Sequence, residues 1–203
     1  MDLTLAKLPP LERYKLLIGL VIPRPIAWIS TRSANGVANC APFSFFNVFS
    51  EDPPLCVIGI NPRDSDGAMK HSLKNIRRTK EFVVNLVDEA NANAMHVTGA
   101  EIPEEESEFE KAGLTEAPAA LVQHPRIAQA AACLECRLFQ LLEISATRQL
   151  VLGEILLVHA RDGIIDPASK RISEQNYHPI GRLFASRYCT TRQRFNLPGD
   201  LPK

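Results

Sequence analysis

Residues 21–60, VIPRPIAWISTRSANGVANCAPFSFFNVFSEDPPLCVIGI, constrain the fold more than any other stretch of the chain. Two apolar runs flank Ser-Ala-Asn-Gly, and Asn-Gly is turn chemistry that joins neighbouring antiparallel strands. Residues 26–31 read as one strand and 37–40 as its returning partner. Residues 55–60 read as a third, short and apolar enough to be buried. Between the second and third strands, Asn39 to Ser44 spell NCAPFS, which reads as a loop. Two readings of that loop stand. It is a bent strand end packed under Phe45 and Phe46, or it is bare backbone against which something flat lies.

The rest of the chain extends the same plan. Pro10–Leu20 reads as a helix with proline at its start, and Pro23 follows its end. Residues 70–79 carry Leu73 and Ile76 at helical spacing, EFVVNLV is a strong strand, and 89–97 look helical. Residues 101–113 are acidic and read as an exposed excursion with a short helix. An alanine-rich run before Leu134 imitates a helix, but LECRLFQLLEI reads as a strand paired with LVLGEILLVHARDGII, with Asp162-Gly163 as a turn. The tail, 174–203, reads as irregular. The sum is a mainly β protein with peripheral helices, an antiparallel barrel or curled sheet, organised as a single domain over 1–203. Strict strand–helix alternation and a Gly-x-Gly-x-x-Gly fingerprint are missing, which argues against a dinucleotide-binding Rossmann fold.

Charge narrows the partners. Lys plus Arg number 23 and Asp plus Glu number 23, so the net charge is zero, and no basic excess points to nucleic acid. No apolar run reaches membrane-spanning length and the charged N-terminus does not read as a signal peptide, so the cytoplasm is expected, with no membrane partner. Five scattered cysteines suit reduced thiols. Cys133 and Cys136 form a C-x-x-C, but strand residues three apart point to opposite faces, and no metal site is expected.

Three clusters carry candidate chemistry. In NCAPFS, Ala41 and Pro42 leave room for close approach, while Asn39 and Ser44 offer hydrogen bonds. Around the next helix start, Arg63, Ser65, Lys70 and Ser72 combine positive charge with helix N–H groups, which suits a phosphate; the plain alternative is a solvated basic helix. In the tail, YHPIGRLFASRY brings together Tyr177, His178, Arg182, Arg187 and Tyr188. The carboxylates of EIPEEESEFE read as a solvated face. No acid–base triad stands out, and no catalytic residue is assigned.

With those residues in view, the chain resembles the flavin reductase-like family of FMN-binding split-barrel flavoproteins. The likeness covers about residues 21–188 and rests on PRPIAWIST, NCAPFSFF, DPPL, KHSLKNIRRTKEFVVNLV, EFEKAGLT, LGEIL and HPIGRLFASRY in that order. It implies an antiparallel split β-barrel, a homodimer, and FMN held near the subunit boundary, with FAD the other flavin that it admits. Asn39, Ala41, Pro42 and Ser44 match the family's ring-binding edge. Arg63, Lys70, Ser72, His178 and Arg182 complete the cofactor-binding residues that the resemblance implies. His71 stands where many relatives carry an acidic residue. Arg148 stands five residues before Gly153-Glu154, where many nicotinamide-using relatives carry histidine. The implied activity is NAD(P)H-dependent reduction of flavin, or of an acceptor through bound FMN, with a partner oxygenase as one outlet. The alternative is an electron carrier without its own nicotinamide site.

Overall fold

The structure, a computed structural model, describes residues 1–197 and 199. In chain order the elements are α1 (Pro10–Leu20), β1 (Ala27–Arg32), β2 (Ala38–Phe43), β3 (Phe46–Glu51), β4 (Pro54–Ile60), α2 (His71–Thr79), β5 (Glu81–Leu86), α3 (Ala92–Val97), α4 (Glu108–Lys111), β6 (Glu116–Ala117), β7 (Arg126–Ile127), β8 (Ala132–Glu143), β9 (Gln149–Ala160), β10 (Ile180–Arg182) and β11 (Tyr188–Thr190). The chain is mainly β, as its turn chemistry predicts.

Seven strands form one antiparallel sheet in the order β2-β1-β5-β8-β9-β4-β3. The two edge strands, β2 and β3, are consecutive in sequence, and only Ser44 and Phe45 separate them. A sheet whose opposite edges are joined by so short a link must curl until those edges approach. Gly59 N–H donates to the Phe45 carbonyl at 2.7 Å and ties the link to β4. A Cβ at Gly59 would stand 3.1 Å from the Phe45 Cβ, so glycine allows that approach. No ladder joins β2 to β3 among the described residues, which leaves a seam along the curled sheet.

The pleat sorts the core into two clusters. Trp28, Cys40, Val83 and Cys133 bury on one side with Met95, Phe109 and Ile127. Ile29, Cys56, Ile58, Phe82, Cys136 and Val151 bury on the other, against Leu73 and Ile76 of α2. Each fully buried Leu, Ile or Phe contributes about 1.5–3 kcal/mol. Cys133 and Cys136 thus fall in different clusters, and all five cysteines are free thiols.

Three readings need correction. The second strand does not stop at Cys40; it runs to Phe43 and takes in most of NCAPFS. Proline is tolerated there because β2 is an edge strand and Pro42 needs no ladder donor on the open side. Residues 46–51, not among the strands expected from the sequence, form β3, paired with β4 through an irregularity between Val48 and Ser50. The tail is not wholly irregular: β10 and β11 pair as a small ribbon. Its positions 198 and 200–203 lie outside the described residues.

Candidate functional site

The site grows from the edge of β2. In an antiparallel strand the N–H and C=O of one residue point the same way, and successive residues alternate. The Ala38 carbonyl accepts from Ser107 Oγ at 2.7 Å and Cys40 N–H donates to Glu108 Oε2 at 3.2 Å, so both face outward and both are covered by α4. Pro42 is the next outward residue. The open edge therefore begins at Pro42 and continues to Ser44, while Ala41 pairs inward with Ile29 of β1. Asn39 is a hub: it donates to Glu108 Oε1 at 2.8 Å and accepts from Thr31 Oγ1 at 3.2 Å and Ser72 Oγ at 3.0 Å. With every partner internal, Asn39 positions β2 against α2 and α4 rather than presenting a free side chain.

The start of α2 forms the second wall. Lys70 is its N-cap and no side chain caps its first N–H groups, which leaves donors at the positive end of the helix dipole. Ser72 is buried and its hydroxyl already donates to Asn39, so its backbone N–H is the group left to face a ligand. Lys70, His71, Ser72, Arg63, Asn39, Ala41 and Pro42 line one cleft. His71 meets Arg63 at 3.1 Å, and its pKa is lowered by burial first and by the Arg63 charge second.

The acidic segment is not merely a solvated face, a further correction. Glu101 accepts from Asp64 N–H at 2.8 Å, Ser65 N–H at 3.2 Å, Ser65 Oγ at 2.5 Å and Lys70 Nζ at 3.2 Å. Those bonds, the Ser65 hydroxyl foremost, hold its pKa down to about 2. Glu108 is buried beneath β2, and burial pushes its pKa up. Neither role was legible from a run of glutamates, whose composition looks the same whether or not one of them folds inward.

Past Pro42 the cleft widens into a cavity of about 480 Å³ lined by Tyr14 of α1, Arg24, Ser44, Arg182 and Tyr188. This lies within the size range of small-ligand sites. Arg24 was not singled out from sequence, although its place between Pro23 and Pro25 fixes its backbone. An adjoining cavity takes in Lys70, Ser44 and Arg148, the last from the turn between β8 and β9. The fold thus brings Asn39, Ala41, Pro42, Ser44, Arg63, Lys70, Ser72 and Arg182 around one continuous groove. His178 lines none of it; it lies beside Arg192 and its carbonyl accepts from Glu89 N–H. Among the described residues, no group of three or more His, Cys, Asp or Glu is placed to hold a metal ion, and no helix is long and apolar enough to cross a membrane.

A family model described as flavin reductase like domain matches residues 19–181. The chain belongs to that family. With the family comes flavin-related oxidoreductase chemistry. An uncharacterized protein of Aquifex aeolicus (strain VF5) is 45% identical over 175 residues, 86% of this chain and 88% of that one. The crystal structure of Pseudomonas fluorescens 2-nitrobenzoate 2-nitroreductase NbaA superposes with TM-score 0.90 at 36% identity, over 100% of this chain and 99% of that one. Nitrilotriacetate monooxygenase component B from Bacillus cereus also superposes with TM-score 0.90, at 29% identity, over 97% of this chain and 98% of that one.

Proposed function

We propose that this flavin reductase-like protein is an FMN-dependent oxidoreductase, with NADH or NADPH as donor, working in the cytoplasm as a homodimer of single-domain split-barrel subunits. The observation that carries this reading is the groove itself. An uncovered strand edge from Pro42 to Ser44 runs into an uncapped helix start flanked by Lys70. A flat polar ring suits the first, and a phosphate the second.

Bound FMN would supply a centre that both accepts and gives hydride. The protein's own residues do the rest. Pro42 and Ser44 present an edge for the ring, and Lys70 with the first N–H groups of α2 holds the phosphate. Tyr14 packs edge-on against Phe45 at 6.3 Å and narrows the groove's mouth against water. Arg24 Nε reaches Ser44 Oγ at 3.4 Å and puts a buried positive charge beside the ring's polar edge. Charge of that sign favours a ring that gains electron density. The nitroreductase likeness supports reduction of a bound acceptor; the monooxygenase-component likeness supports delivery of reduced flavin to a partner.

A titration tests the site. Lys70→Ala is expected to weaken FMN by about tenfold, the typical worth of one charge-assisted hydrogen bond, and to leave riboflavin unchanged. Equal loss of both ligands, or loss of neither, would remove Lys70 from the phosphate. Arg148 favours a second reading, an electron carrier reduced by another protein. It lines the groove, and by the family resemblance it stands where many nicotinamide-using members carry histidine. Anaerobic bleaching of the flavin by NADH or NADPH separates the two, because a carrier without a nicotinamide site stays yellow.

A further inference from the structure

Arg24 and Arg182 stand directly opposite one another in an isolated antiparallel bridge. Arg24 N–H donates to the Arg182 carbonyl at 2.9 Å and Arg182 N–H returns the bond at 2.8 Å. This approach depends on the neighbouring Gly181, because a Cβ there would lie 2.6 Å from the Pro23 Cβ. Directly opposed residues have Cβ atoms about 4.5–5.5 Å apart on one face, and like charges so placed are destabilising. The two arginine side chains therefore leave the backbone side by side.

Among the described residues, no acidic side chain neutralises them: no carboxylate forms an ion pair with either. Arg24 is only 7% exposed, and its partners are neutral: the carbonyls of Ile18 at 2.6 Å, Val21 at 3.2 Å and Leu183 at 2.8 Å, and the Ser44 hydroxyl. Arg182 bonds the Ala185 carbonyl and lies 4.5 Å over the Tyr188 ring. Burial lowers the Arg24 pKa; Tyr14 opposes that shift and the Arg182 charge adds to it. Both arginines line the 480 Å³ cavity, whose lining contains no Asp or Glu but does contain Tyr14, Phe43 and Tyr188. A buried, unpaired charge facing a like charge costs stability unless an anion answers it.

We propose that Arg24 and Arg182 form a carboxylate-binding subsite beside the flavin ring position, and that the ligand it takes is an aromatic carboxylic acid. The placement beside the ring rests on the flavin reading above. The carboxylate takes the planar fork of Arg182, which the Ala185 carbonyl leaves largely free, and the one Arg24 N–H that Ser44, Ile18, Val21 and Leu183 do not occupy. The aromatic body lies among Tyr14, Phe43 and Tyr188, and the Ser44 edge is next to it. The cleft at the start of α2 shares Pro42 and Phe43 with this cavity but draws its cations from Arg63 and Lys70, so the two anions have different charged partners.

Calorimetric titration with benzoate and with its neutral counterpart benzamide tests this, on flavin-free and FMN-loaded protein. Wild-type protein is expected to bind benzoate at least tenfold more tightly than benzamide. Arg182→Gln is expected to weaken benzoate by roughly 10- to 150-fold, the loss typical of a charged hydrogen bond, and benzamide by less than twofold. Arg182→Lys keeps the charge without the fork and is expected to fall between. Equal binding of benzoate and benzamide by the wild type, or no benzoate binding at millimolar concentration, overturns the subsite whether or not the variants fold. So does an Arg182→Gln protein that loses FMN and benzoate in equal measure, because the anion would then be the flavin phosphate. Failure of the wild type to bind FMN overturns the flavin reading alone; the benzoate arms on flavin-free protein still decide the subsite.

Discussion

Glu101 concentrates the electrostatics of the site in one residue. It gathers the donors of residues 64, 65 and 70 that a bound phosphate would otherwise attract. Replacing it with glutamine removes a negative charge next to the phosphate position. Glu101→Gln is expected to tighten FMN roughly fivefold, about 1 kcal/mol for one exposed charge interaction, with riboflavin unchanged in the same fluorescence titration. A loss for both ligands would mean that Glu101 is needed to hold the 63–70 loop. The same residue carries a pH signature. A carboxylate whose folded pKa is depressed contributes stability above the ordinary carboxylate range, and that contribution vanishes as pH falls through the folded value. For Glu101 that value is about 2. The stability gap between wild type and Glu101→Gln in urea melts is therefore expected to be constant above pH 5 and to close between pH 4 and 2. A gap that does not change with pH would sever Glu101 from this network.

At the scale of elements, the two long strands β8 and β9 hold the sheet's centre, and one glycine decides how closely the layers pack. A Cβ at Gly153 would fall inside the edge of the Phe82 ring and 3.3 Å from the Cys56 Sγ. Both neighbours are fully buried, so neither moves freely. Gly153→Ala is expected to destabilise by about 1–3 kcal/mol, the usual range for overpacking. That corresponds to a fall in Tm of roughly 2–4 °C per kcal/mol for a chain of this size. An unchanged Tm would mean that Phe82 swings aside without cost. Most elements were legible beforehand because their signals are local: Asn-Gly for the first hairpin, proline for the start of α1, the apolar alternation of β8. β3 was missed because Asp-Pro-Pro, which follows it, reads as loop, while its strand character comes from pairing with β4.

For the whole molecule, α1 is the informative piece. None of its residues is buried, yet Leu11, Leu17 and Leu20 are apolar and exposed. Val21, Phe49 and Ile144 are also exposed and line a hollow of about 630 Å³ near it. Clustered exposed apolar residues of this kind are where a self-association surface is expected. Sedimentation at micromolar concentration is expected to give a dimer, and Phe49→Asp is expected to shift it toward monomer. A wild-type monomer that still binds FMN fully would contradict the homodimer.

The sequence by itself determined the antiparallel sheet, the positions of its main strands and helices, and the family, because turn residues, periodicity and ordered motifs act over a few neighbours. It also pointed to Pro42, Ser44, Lys70 and Ser72 before any contact was known. Only the tertiary structure decided which of their groups remain available. Asn39 and the Ser72 hydroxyl are satisfied internally, Glu101 turns inward to the helix start, and Arg24 meets Arg182 from 158 positions away in the chain. Such outcomes depend on which distant elements share a surface. Burial and hydrogen-bond satisfaction are properties of that surface, and no local stretch of residues contains them.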